Sequence, residues 1–128
     1  MKKTKMAVAG IAVLILALFW QFVLATSQDA LDPLEVAPET HKLVFENALV
    51  RVIEARVPPG SLEPKHSHPR GLTVHLADYD VEYKTFPDGK VTKVHRSFGS
   101  VNWSEAVVHE VRNVSQTPSH AIRIELKR

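Results

Sequence analysis

His66 and His68, two residues apart, and His109 in the run His109-Glu110-Val111-Arg112-Asn113 are the side chains best placed by type and spacing to do chemistry in this chain of 128 residues. Residues two apart on a strand share a face, so the pair presents two imidazoles to one point, and a third can arrive from another strand. Neutral imidazole suits Zn, Cu, Fe and Ni. A site of three nitrogens without a carboxylate keeps positions open for water or substrate. The flanking Pro59-Gly60-Ser61 and Pro69 are turn residues, which places the pair beside loops carried by a more rigid scaffold. There is no cysteine, so thiolate ligands and disulfides are both excluded. No acid–base pair, activated nucleophile or nucleotide-binding loop is visible, so catalytic residues are not specified by the sequence.

The elements that must position these histidines read as strands. Segments 43–45, 49–57, 72–76, 81–86, 91–94, 107–114 and 121–126 are rich in β-branched or alternating apolar residues and are separated by Pro, Gly, Asn and Asp. Pro87-Asp88-Gly89 marks a hairpin, because glycine accepts the positive φ that a tight turn needs. In the last segment Ile122, Ile124 and Leu126 alternate with Arg123, Glu125 and Lys127, the pattern of a half-buried strand. No helix of three turns is expected beyond residue 30. Many short strands at regular spacing predict an all-β sandwich or barrel. Phe45, Tyr83, Phe86, Phe98 and Trp103 are expected in its core or lining a pocket.

Lys2, Lys3 and Lys5 precede an apolar run over 6–25, so residues 1–28 read as a signal peptide or a transmembrane anchor, one hydrophobic helix ahead of the domain. Twenty residues would span roughly 30 Å, which suits an anchor. Val23-Leu24-Ala25 also offers a cleavage site. Either outcome places the domain outside the cytoplasmic membrane, in the periplasm or an equivalent compartment, with membrane contact only if the segment is retained. Residues 29–40 read as a linker and 41–128 as the domain. Of the 16 basic residues three sit in the leader, while all 14 acidic residues lie beyond it, so the remainder carries about one negative charge and gives no reason to expect nucleic acid. A domain of this size buries a modest core, which pairing into a homodimer would extend.

The two histidine segments resemble the motifs of a small single-domain cupin. The first motif of that family, a glycine, five residues and His-x-His, is matched by Gly60, His66 and His68; the second, ending in a histidine, three residues and an asparagine, is matched by His109 and Asn113, with Gly99 at its start. The resemblance covers about residues 41 to 127 and implies a cupin-type jelly-roll β-barrel. It also implies a divalent transition metal (Fe, Zn, Ni or Cu) on His66, His68 and His109, and a small organic ligand. Where the family places a glutamate ligand this chain has Thr73, and Ser104 and Ala106 replace the family's proline and glycine. His75, two residues beyond Thr73 on the same strand face, could supply a fourth nitrogen from one layer deeper. By analogy the leading reaction class is metal-dependent, dioxygenase-like oxygenation. The alternative is a non-catalytic degenerate cupin that binds a small molecule or a partner protein. Asn113 is expected to fix a turn, and His41, His95 and His120 to be surface residues. Glu110 points away from the site, and Glu63 could reach it only if its loop folds back.

Overall fold

The structure, a computed structural model, describes residues 30–127. Residues 1–28, read above as a signal peptide or transmembrane anchor, lie outside the described residues. Short β-branched segments satisfy their backbone groups by pairing with one another, and here they form nine strands after one short helix. The helix α1 spans Pro33–Val36. The strands are β1 (His41–Glu46), β2 (Val50–Val57), β3 (Leu62–His68), β4 (Gly71–His75), β5 (Tyr79–Thr85), β6 (Val91–Arg96), β7 (Val101–Ser104), β8 (Val107–Asn113) and β9 (Ser119–Leu126). They make a five-stranded sheet in the order β1-β2-β9-β4-β7 and a four-stranded sheet in the order β3-β8-β5-β6. All the pairings are antiparallel. The all-β expectation holds, and the β5–β6 hairpin turns at Gly89 with φ +68°.

Two features of register place the site. On β3 the pairing with β8 shifts between Glu63 and His66. Strict alternation would put these residues, three apart, on opposite faces, but the bulge lets Glu63, His66 and His68 all turn inward. On β9 it is Ser119, Ala121, Arg123 and Glu125 that are buried, while Ile122, Ile124 and Leu126 lie on the opposite face. The interior therefore carries many polar groups: ten buried polar or charged residues stand beside eight buried apolar ones, Pro33 included, among the described residues.

The apolar residues not used inside form a row on the outer face of the larger sheet. Phe45 pairs with Val52, Val52 with Ile124, Ile124 with Leu72 and Leu72 with Trp103. Phe45 and Trp103 are about half exposed and Phe98 is 70% exposed. Of the aromatic residues expected inside, Tyr83 lines the interior, whereas these three do not. A cavity that must hold polar groups leaves no room for them.

The segment read as a linker also differs from expectation. The compact unit begins at Leu31, not at residue 41. Asp32 caps α1 by accepting from Leu34 N at 2.9 Å, with Pro33 inside the first turn. Ala37 is fully buried, and Ser67 N donates to Leu31 O at 2.8 Å. One turn of helix is too short to register as periodicity in a sequence.

Gly71 supports this arrangement by having no side chain. A Cβ there would lie 2.1 Å from the carbonyl oxygen of Ile124. That oxygen belongs to the backbone and cannot swing aside. Gly71→Ala is expected to force β4 off β9 and to cost about 1–3 kcal/mol, the usual range for overpacking. Denaturant unfolding measures it, and an unchanged midpoint would rule out the close approach.

Candidate functional site

The inward faces of both sheets enclose a cavity of ≈ 320 Å³, lined by His41, His66, His68, His75 and His109 among others. One ring nitrogen from each of His41, His66 and His68 lies within 4.8 Å of the others, and all three residues are buried. His109 enters from β8, directly opposite His66 in the register, with its Nε2 3.0 Å from Nε2 of His66. Its ring stacks on Tyr83 at 5.5 Å. The structure thus gathers the three histidines of the two motifs, and adds a fourth.

That fourth is His41, which sequence reasoning placed on the surface. α1 returns the chain to the barrel wall, and β1 starts with this side chain pointing inward, 4% exposed. His41 Nδ1 stands 3.1 Å from Thr40 Oγ1 and 3.3 Å from Glu63 Oε1. The one signal in the sequence is that His41 stands two residues before the apolar run 43–45.

His75 does not join the cluster. Although it lines the cavity, both of its nitrogens are taken, Nδ1 by the Tyr79 hydroxyl at 2.5 Å and Nε2 by Asn102 Oδ1 at 2.7 Å. The expected fourth nitrogen is instead locked into a hydrogen-bonded triad. His95 pairs with Asp80 on the exterior and His120 with Glu54. Asn113 fixes the turn after β8, donating to Val57 O and Thr117 O and accepting from Ser115 N.

Hydrogen bonds behind the cluster set its tautomers. Pro64 O can only accept, so His66 carries its proton on Nδ1 (2.7 Å) and turns a lone pair on Nε2 toward His109. His68 Nδ1 faces Glu125 Oε1 at 2.6 Å, which leaves its Nε2 free in the same way. Glu125 also accepts from Arg51 Nε at 2.7 Å, and Arg51 Nη1 donates to Asp32 at 2.5 Å. A carboxylate behind a ligating imidazole is the usual device for orienting such a ring and raising its basicity. Asp32, Arg51, Glu125 and His68 therefore form one chain from α1 to the cluster.

Burial, reinforced by the neighbouring His66 ring, pushes His41 down to about 4. The other imidazoles of the cluster are lowered as well, chiefly by burial. At neutral pH all four are uncharged, which is the form that ligates. Burial pushes the Glu63 carboxyl up to about 7. Glu63 Oε1 has no hydrogen-bond partner. A buried oxygen left unsatisfied beside His41 costs free energy unless something else meets it. Four imidazoles and an orphaned carboxyl oxygen, with no thiolate, are a donor set that fits a borderline divalent ion.

No protein-family model matches the chain, and no curated protein matches it either. Solved structures do. A cupin domain from Bordetella pertussis Tohama I is 28% identical, with 69% of this chain and 92% of that one aligned at a TM-score of 0.63. The barrel has a cupin fold. A conserved protein with a double-stranded β-helix domain from Klebsiella pneumoniae (21% identity, 67% and 74% of the two chains, TM-score 0.55) and a cupin-superfamily protein from Desulfitobacterium hafniense (11%, 69% and 76%, 0.52) share the architecture.

Thr73, which the motif resemblance sets against the family's glutamate, accepts through its Oγ1 from Arg123 Nη1 at 3.2 Å. The position faces an arginine, which would pair with a carboxylate placed there. Glu63 and Glu125, the carboxylates nearest the histidines, come from β3 and β9 instead.

Proposed function

We propose that this cupin-type barrel binds one divalent transition metal, with His41, His66 and His68 as ligands and His109 as the fourth. A small organic ligand would fill the remaining positions. The observation that carries the reading is the convergence of these imidazoles, each neutral, two of them held in the ligating tautomer from behind. His66, His68 and His109 stay in the ligand set and His41 takes the role once given to His75. A bound ion would supply Lewis acidity or, as iron, the redox chemistry of an oxygenase, the leading enzymatic reading. The chain's own contribution is to hold Nε2 of His66 and His68 fixed and to offer a cavity of ≈ 320 Å³, near the lower end of the roughly 300–1,000 Å³ typical of small-molecule sites.

Two further readings belong to the same proposal. The apolar run over 6–25 behind Lys2, Lys3 and Lys5 supports export, with the barrel outside the cytoplasmic membrane. The row from Phe45 to Trp103 supports pairing with a second copy, since a two-fold axis through an apolar stripe covers the stripe with itself.

Elemental analysis of the purified full chain tests the central claim. Close to one Fe, Zn, Ni or Cu per chain is expected after removal of loosely bound ions. A chain that takes up none of the four, in folded form and at neutral pH, leaves the non-catalytic barrel as the reading that stands.

A further inference from the structure

Two arginines line the cavity without supporting the histidine cluster. Arg123, on β9, is 6% exposed. Its Nη1 donates to the hydroxyls of Thr73 and Ser104 at 3.2 and 2.8 Å, and its Nη2 to Pro69 O at 2.5 Å. Its Nε, buried, donates to nothing. Arg96, from β6 on the other sheet, has a buried Nε that is likewise unpartnered, and its guanidinium lies 5.7 Å from the Tyr83 ring. Both side chains line the same cavity as the histidines. Neither makes an ion pair among the described residues.

The Arg123 guanidinium has only hydroxyl and carbonyl hydrogen-bond partners, and the field of Glu125 offsets its burial only in part, which is costly in a low-dielectric interior. The obvious internal counter-ion is already engaged. Glu125 is shared between Arg51 and His68. A divalent ion on the histidines would add two more positive charges to the same space. Field and unsatisfied donors alike call for an anion from outside.

The kind of anion follows from the rest of the wall. Apart from these donors the lining includes Ala55, Val57, Val81, Val107 and Val111, which can pack a carbon skeleton but cannot solvate further charged oxygens. Among the described residues the lining includes no glycine and no residue of α1, so the cavity lacks the helix N-terminus or glycine-rich turn that phosphate sites commonly have. We infer that the ligand of this barrel is a small carboxylate, its carboxyl group held by Arg123 and Arg96 and its carbon chain lying toward the histidine cluster. This assigns a substrate class to the metal site proposed above and rests on that reading for what the far end of the ligand meets. The arginine subsite itself requires no metal.

Calorimetric titration of the full chain with succinate, pyruvate, inorganic phosphate and the neutral propionamide tests the inference, with the chain metal-free and again loaded with Zn. Succinate or pyruvate should bind in both states, more tightly with Zn. Arg123→Gln and Arg96→Gln should each weaken that binding at least tenfold, while circular dichroism shows the fold retained. Zn affinity should not fall in Arg123→Gln, because the variant removes a cation and no ligand. If Arg123→Gln does not fold, Arg96→Gln and the comparison of ligands still decide the matter. Propionamide binding as well as the acids, phosphate binding more tightly than either acid, or no carboxylate binding in either state would each overturn the inference. Carboxylate binding by a chain that takes up neither Zn nor Fe, Ni or Cu would uphold the subsite and sink the metal. Zn uptake without carboxylate binding would do the reverse.

Discussion

His66→Ala or His68→Ala is expected to lower the affinity of the chain for Zn by ~100-fold or more. Each side chain has one nitrogen fixed by a hydrogen bond behind it and the other turned to the cluster, so neither can be replaced by a shift of its neighbours. Structural zinc sites in small domains bind their ion with about 10–16 kcal/mol in total, and on that scale a single bond is a large share. His41→Ala should behave in the same way, since its ring nitrogen lies within 4.8 Å of the other two. His75→Ala is the control. It empties both partners, Tyr79 and Asn102, and should cost about 1–3 kcal/mol of stability for a buried group left unpaired, but Zn affinity should move by no more than about threefold. Titration with a competing chelator measures all four. Loss of affinity in His75→Ala with none in His41→Ala would restore the ligand set expected from the sequence.

A second large effect is expected at Glu125. Its carboxylate, 1% exposed, is the common acceptor of Arg51 and His68. Burial holds its pKa above the ordinary carboxylate value, with Arg51 opposing the shift; it accepts from Arg51 Nε at 2.7 Å and faces His68 Nδ1 at 2.6 Å. Glu125→Ala leaves the part-buried Arg51 guanidinium against Asp32 alone and the buried His68 without its acceptor, and should destabilise the fold by about 3–5 kcal/mol. For a domain near 100 residues that is a fall in Tm of at least about 12 °C. Glu125→Gln keeps the shape and one acceptor, so it should cost less stability yet still reduce metal affinity about 10–100-fold, because His68 loses the anion that orients it. Calorimetry on both variants separates the effects. An alanine variant as stable as the parent would mean that the chain from Asp32 to His68 contributes nothing.

How much of this was legible in the sequence depended on parity and on distance along the chain. Seven strand segments, the turn at Gly89 and the shared face of His66 and His68 follow from periods of two and from turn chemistry. His109 followed from its motif. Glu63 was missed because a bulge at residues 64–65 breaks the alternation that would have turned it outward. Glu125 and Arg123 were visible as one face of β9, but a strand alternating Ile with Arg and Glu does not say which face is inside. In most proteins the isoleucines would be, and here the interior is a site rather than a core. His41 was lost to a segment whose one helical turn is held by tertiary contacts, which no local pattern reports. His75 had the right residue type on the right face and was disqualified only by its neighbours.

The tie between α1 and His68 makes residues 31–41 a partner in a thermodynamic cycle. Asp32 spends one carboxylate oxygen on the Leu34 amide and the other on Arg51, so docking of the helical turn and orientation of the imidazole share the same bonds. Whatever factor the docked segment adds to the affinity of the histidines for an ion, the ion must return to the docking equilibrium of the segment. Occupancy deep in the barrel is thereby coupled to the stability of the first stretch of chain outside it. The amides of Leu34 and Ala37 report on a centre they never touch.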